Sequence, residues 1–174
     1  PDRPALIQTI VTTGLSRAIA EKNGSACFET FTGFKFMAEK VAELEREGVW
    51  HYVMAYEESY GYMIGNHARD KDGVVASMLL CEMAAWYKSR GMTLLDGLEA
   101  LWAEYGCYAE KTVSVMLPGE DGMKRMARVM AALRRSPPAA FGPLRAEGMR
   151  DHLSGRDLGG APVAPAGMDV LVWP

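Results

Sequence analysis

Two short runs hold most of the side chains able to do chemistry: Glu57-Glu58-Ser59-Tyr60-Gly61-Tyr62 and, a few residues later, Arg69-Asp70-Lys71-Asp72-Gly73. In an extended segment alternate residues share a side, so Glu57 and Ser59 face together and Glu58 faces away, where it braces the loop. An ionised carboxylate accepts several hydrogen bonds, and a hydroxyl both gives and accepts. Arg69 and Lys71 bring positive charge to a loop that opens a helix, where unpaired backbone N–H groups and the helix dipole also favour an anion. The pair reads as a candidate anion contact, and the bland alternative is a solvated loop of alternating charge. Lys35, next to Gly33 at the head of another helix, reads equally well as a cleft residue or as a surface lysine. Asp70 and Asp72 lack a third ligand and calcium-loop spacing, so Asp72 is read as a helix cap and no metal site is assigned. His67 reads as an exposed loop histidine, and His51 and His152 fit no pattern. No Ser/His/Asp order, CxxC or HExxH occurs, which sets aside hydrolase and zinc chemistry.

The elements that must position these groups follow from patterning. Ala5–Thr13 is apolar and β-branched, a buried strand; Leu15–Lys22 is a short helix stopped by Asn23-Gly24. Ala26–Thr30 is a second strand. Thr32 is expected to cap a helix over 33–47, with Phe36, Val41 and Leu44 in the core and Gly48 closing it. Trp50–Tyr56 is a third strand. The stretch 57–73 has no steady period and reads as a loop with a purpose. Helices are expected over 74–90, stopped by Gly91, and from Thr93 and Asp96 to Tyr105, ended by Gly106. Lys111–Leu117 alternates like a half-buried strand, and 121–135 is an amphipathic helix ended by Ser136-Pro137-Pro138. Tyr60 and Tyr62 are assigned to packing, and the methionines to core filling. Strands alternating with helices indicate a three-layer α/β/α domain with a small, mainly parallel or mixed sheet.

The 174 residues suffice for one ordinary domain and a tail; 49% are hydrophobic and 24% charged, the balance of a globular protein. A net charge of −3 provides no basic field for nucleic acid or anionic lipid, so neither is expected as a partner. The apolar run 74–86 is too short to span a bilayer and contains Glu82, so no membrane span is expected. Cys27, Cys81 and Cys107 are read as buried reduced thiols, suiting a cytoplasmic setting. From Pro137 prolines and glycines crowd the chain, and only Val170–Trp173 looks like a strand there. With a first residue that is proline, this is read as a fragment: residues 1–136 one domain, 137–174 a linker and the incomplete start of another.

Three motifs in order give a specific resemblance. Thr32-Gly33-Phe34-Lys35-Phe36, the Glu57-Glu58-Ser59 loop and Arg69-Asp70-Lys71-Asp72-Gly73 resemble the third, sugar-binding domain of the α-D-phosphohexomutase superfamily (phosphoglucomutase/phosphomannomutase). Tyr105-Gly106 and Tyr108 downstream fit the same pattern, and the tail resembles the opening of the fourth domain. The superfamily's phosphoserine loop, its Mg²⁺ loop and its main phosphate-binding loop belong to other domains and do not occur here, so no catalytic residue is assigned within this chain.

What the resemblance implies is a parent enzyme that interconverts hexose 1-phosphate and hexose 6-phosphate through a phosphoserine and a hexose 1,6-bisphosphate, with Mg²⁺ bound outside this chain. The remaining domains of that enzyme and the hexose phosphate are the implied partners. The implied substrate-binding residues are Glu57, Ser59, Lys71, Lys35 and Arg69, supported by Glu58, Gly61 and Gly33. Glu57 would accept two adjacent sugar hydroxyls with Ser59 beside it, a contact that looks alike in both orientations of the flipping intermediate. A loop reading the 3- and 4-hydroxyls does not separate glucose from mannose, which differ at the 2-position. Phe34 stands where some relatives carry a histidine, which removes one candidate base. Two alternatives stay open: a stand-alone phosphosugar-binding module without catalysis, and part of a phosphoglucosamine mutase, against which the Glu57-Glu58-Ser59 loop argues mildly.

Overall fold

Three apolar segments pair side by side in parallel, and the first part of the chain is arranged around them. The structure is a computed structural model and describes residues 3–111 and 113–173. β1 (Pro4–Thr9), β2 (Ala26–Thr30) and β3 (His51–Tyr56) are parallel with β1 between the other two, and β4 (Tyr62–Ile64) returns antiparallel along β3. The order is β2-β1-β3-β4, a mixed sheet. Four helices accompany it: α1 (Leu15–Lys22), α2 (Phe34–Glu47), α3 (Gly73–Lys88) and α4 (Leu94–Tyr105).

α2 covers one face of the sheet. Phe34, Met37, Val41 and Leu44 recur at helical spacing and form a buried cluster with Ala5, Ile7, Tyr52, Ala55 and Met63. α1 and α3 flank the opposite face, where hollows of ≈ 320 Å³ and ≈ 460 Å³ lie between them and Leu6, Met54, Tyr56 and Tyr62. The result is the three-layer α/β/α domain expected from the alternation of strands and helices. Among the described residues no helix is long and apolar enough to cross a membrane.

Helix ends follow local chemistry, with one correction. Gly48 closes α2 in the left-handed region, at φ 63°, as glycine permits. Thr93 and Asp96 form a reciprocal capping box at α4. Thr32 does not cap α2; Gly33 holds that place at φ 112° with no side-chain cap, because the chain enters the helix through a conformation that favours glycine. The helix therefore begins at Phe34, which turns Phe34 and Met37 into the core and leaves Phe36 half-buried, edge-on to Phe31.

Other expectations are also corrected. Residues 57–73 contain β4, three residues long. None of the described residues of 111–117 lies in a strand, and Val113, Val115 and Met116 are exposed: no neighbouring strand takes up their backbone groups. Thr112 of that stretch lies outside the described residues. Cys81 and Cys107 are exposed and Cys27 is half-buried, all three free. Cys81 sits on α3, which buries no residue. Met37 and Met63 do fill the core, but Met78, Met83, Met116 and Met123 are exposed.

Two compact units divide the chain, Pro1–Glu110 and Lys111–Pro174. The second holds α5 (Gly119–Arg135) and five two-residue strands, β5 (Ala140–Phe141), β6 (Leu144–Arg145), β7 (Arg150–Asp151), β8 (Arg156–Asp157) and β9 (Leu171–Val172); of these only β9 falls within an expected strand, Val170–Trp173. Arg134 on α5 donates to Asp151 at 3.1 Å and to Asp169, tying the helix to this set of strands.

The Tyr52 hydroxyl donates to the carbonyl of Met63 inside the first unit, and burial pushes its pKa up to about 12. An unfolded tyrosine titrates near ~10. Because the folded value is the higher one, Tyr52 stabilises the fold fully below pH ~10 and loses that contribution as pH rises toward 12. Urea unfolding of Tyr52→Phe and of the parent chain should show a stability difference that shrinks across this alkaline window. A difference independent of pH would contradict the assignment.

Candidate functional site

Parallel strands end together, so the loops after β1 (10–14), β2 (31–33) and β3 (57–61) share one edge of the sheet. The chain leaves β1 for β2 on one side and then crosses to β3 on the other. In such sheets the crevice at this reversal, here between β1 and β3, is where ligands bind. The Glu57–Gly61 loop stands at that crevice.

The loop is a turn and not an extended segment. The Glu57 N–H donates to the Gly61 carbonyl at 3.0 Å, Tyr60 adopts a left-handed φ of 64°, and Tyr56 pairs with Tyr62 across the hairpin. The alternation expected for Glu57 and Ser59 is lost in this turn. Glu57 points inward and only 6% of it is exposed, whereas Ser59 and Tyr60 lie exposed at the tip, Tyr60 at 87%. Packing was expected for both tyrosines; Tyr62 alone is packed, stacked on Tyr56 at 6.2 Å. Tyr60 projects because the left-handed residue sits at the apex.

Glu57 is enclosed by three neighbours. Lys71 Nζ donates to Glu57 Oε1 at 3.0 Å and lies 5.6 Å from the centre of the Phe34 ring. Gly61 is the third: a Cβ there would stand 2.5 Å from Phe34 Cε2 and 2.7 Å from Glu57 Oε1. Only a residue without a side chain lets the turn close over the carboxylate. Lys71 covers this acid with a side chain that is itself 58% exposed, so the lid of the arrangement faces solvent.

Each residue of 69–72 has a distinct partner. Arg69 Nη2 donates to both oxygens of Glu45 on α2, at 2.7 and 2.9 Å, and so points away from Glu57. Asp70 accepts the Lys71 N–H at 2.7 Å. Asp72 caps α3 by accepting from the N–H groups of Val74 and Val75, as expected, and also meets His67 Nε2 at 2.8 Å. The His67 contact first, then the two backbone N–H groups, hold the Asp72 carboxyl below the usual carboxylate range. Lys35 is exposed, its ammonium over the ring of Phe36 at 4.9 Å. Glu58 braces the turn: Oε2 accepts from the hydroxyl of buried Thr9 at 2.9 Å.

The structure thus brings Glu57, Lys71 and Gly61 together and leaves Lys35 and Arg69 outside that contact. Phe34, Glu45 and Thr9 were not assigned these contacts. The first carried a signal in the Thr32–Phe36 motif; the other two are ordinary residues in ordinary elements. Among the described residues no group of three or more His, Cys, Asp or Glu could hold a metal ion.

Comparison with known proteins finds relatives of one family. The family model for phosphoglucomutase/phosphomannomutase, α/β/α domain III, matches residues 1–105. A phosphoglucomutase of Staphylococcus aureus (strain bovine RF122 / ET3-1) is 32% identical over 149 residues, covering 86% of this chain and 27% of that protein. The phosphoglucomutase of strain USA300 gives the same figures, 32% over 149 residues. A crystal structure assigned as a phosphomannomutase from Thermus thermophilus aligns at a TM-score of 0.50 and 25% identity, over 60% of this chain and 22% of that one. The chain therefore spans about a quarter of the length of the curated relatives it matches, 27% for both.

Gly61→Ala should cost roughly 1–3 kcal/mol in urea unfolding, because the added carbon meets Phe34 and Glu57. Gly73→Ala, whose Cβ meets nothing within 4 Å, should leave stability unchanged or slightly raised. Equal effects of the two substitutions would argue against the enclosure of Glu57.

Proposed function

This chain belongs to the phosphoglucomutase/phosphomannomutase family, matching its α/β/α domain III, and on that premise we propose that it recognises the sugar of a hexose phosphate for a parent mutase. The observation that carries this reading is the Glu57 carboxylate, sheltered at the β1/β3 crevice under a single removable ammonium. In the proposed parent reaction a phosphoserine and a hexose 1,6-bisphosphate connect hexose 1-phosphate with hexose 6-phosphate, and the bisphosphate turns over between half-reactions. A recognition group must then accept adjacent hydroxyls in both orientations, which a carboxylate with several lone pairs can do.

Lys71 occupies Oε1 of Glu57 in the structure described. In this reading the sugar hydroxyls take that place, and the released ammonium turns to the nearby phosphate. The exchange needs only a rotation of the long, solvent-facing Lys71 stem. Ser59, exposed at the tip of the turn, adds a hydroxyl contact from the outer side. Each charge-assisted bond contributes roughly 1.5–3 kcal/mol when sheltered, enough for orientation without preventing the turn of the intermediate. Arg69 and Lys35 support the site as positive charge near it, not as parts of the Glu57 contact.

The carboxylates near the turn, Glu57, Asp70 and Asp72, do not suit the parent's Mg²⁺. Asp70 and Asp72 accept backbone N–H groups and Glu57 faces an ammonium, so these three do not form an oxygen-rich cage for a hard cation. Within the same reading, residues 1–136 are the recognition domain and 137–174 a linker and the start of the next, a proposed boundary distinct from the division of the compact units at 110/111.

In the parent enzyme, Glu57→Ala should lower kcat/KM about 100-fold or more, from the loss of two charge-assisted bonds. Ser59→Ala should lower it by less, about 10-fold. Both variants should still form the phosphoserine at the parent rate. Normal kcat/KM in Glu57→Ala would overturn the site, and mutase turnover by the purified 174-residue chain would overturn its role as a recognition domain alone.

A further inference from the structure

The crevice between β1 and β3 is spanned by one relay of hydroxyls that the proposed sugar contacts do not use. Thr9, the last residue of β1, is fully buried, and its Oγ1 donates to Glu58 Oε2 at 2.9 Å. With its proton committed there, the same oxygen accepts from Thr12 Oγ1, 2.7 Å away. Thr12 is held in turn by its N–H, which donates to the Thr9 carbonyl at 3.1 Å. The relay Thr12–Thr9–Glu58 therefore joins the loop after β1 to the turn after β3.

Glu58 is otherwise exposed, on a turn whose tip holds a left-handed tyrosine. The turn's own backbone closure, from Glu57 N–H to the Gly61 carbonyl, fixes its ends but not its direction across the sheet edge. A buried hydroxyl aimed at the carboxylate next to Glu57 supplies that direction. We infer that Thr9 is a positioning residue for sugar recognition, acting through Glu58 to hold the Glu57–Gly61 turn in its binding orientation. This rests on the reading of Glu57 as the sugar-binding carboxylate, and it adds a hydroxyl in β1 and an acid outside direct contact to the residues that tune affinity.

The test is a double-mutant cycle on the 174-residue chain, titrated with glucose 1-phosphate and followed by amide chemical shifts. Thr9→Val keeps the shape and removes the hydroxyl; Thr9→Ser restores it; Glu58→Ala removes the acceptor. Thr9→Val and Glu58→Ala should each weaken Kd about tenfold, the double variant should be no weaker than either, and Thr9→Ser should bind like the parent. Additive losses, or a Thr9→Val chain that binds like the parent, would overturn the inference and leave the sugar site standing. If the parent chain itself does not bind the probe, the functional reading fails instead. The inference is then decided by amide exchange of residues 57–61, which should quicken in Thr9→Val and Glu58→Ala alike and not in Thr9→Ser; unchanged exchange would overturn it.

Discussion

Taking an ionised carboxylate out of water costs several kcal/mol unless a counter-charge and hydrogen bonds replace the solvent. Glu57 meets that condition through one partner, Lys71, and much of the surrounding structure serves to bring the two together. β3 delivers the acid to the sheet edge, the hairpin into β4 turns it inward, and the segment leading to α3 returns the lysine above it. α2 contributes at both ends: Phe34 lies beneath the pair, while Glu45 grips Arg69, two residues before Lys71. Gly61 leaves the gap through which the turn closes. A group so enclosed is pre-oriented, and a preorganised acceptor spends less ordering entropy when a ligand replaces its partner.

Much of this was legible in the residues. β-branched runs separated by amphipathic stretches identified β1, β2, β3 and the helices, with α1 and β2 found at their observed bounds. The capping chemistry of Thr93 and Asp96, the glycine stop at Gly48 and the cap at Asp72 are local interactions, decided within a few residues. The motifs around Glu57 and Lys71 meet at the edge of the sheet beyond the end of β3.

What escaped the sequence depended on non-local pairing or on a single backbone angle. β4 has three residues and exists because β3 is beside it, too short for an alternating pattern to declare itself. Four of the two-residue strands of the second unit, β5 to β8, escape for the same reason, while β9 falls within the expected Val170–Trp173 strand; the described residues of 111–117 show the converse, an alternating segment that pairs with no strand among the described residues. The direction of Glu57 was misjudged because alternation holds only in extended backbone, and the positive φ of Tyr60 turns the chain. Burial of Cys81 was inferred from apolar neighbours, yet an apolar run on α3 can face outward.

The two ionic contacts that anchor the segment before α3 sit in different dielectric surroundings. Arg69 and Glu45 are both open to solvent, whereas the carboxylate under Lys71 is not. Dissolved ions screen exposed charges over a Debye length of about 8 Å at physiological ionic strength and much less in concentrated salt. Added electrolyte thus loosens the outer tether first while the inner one persists, and the segment gains freedom to pivot about Lys71 before it lets go.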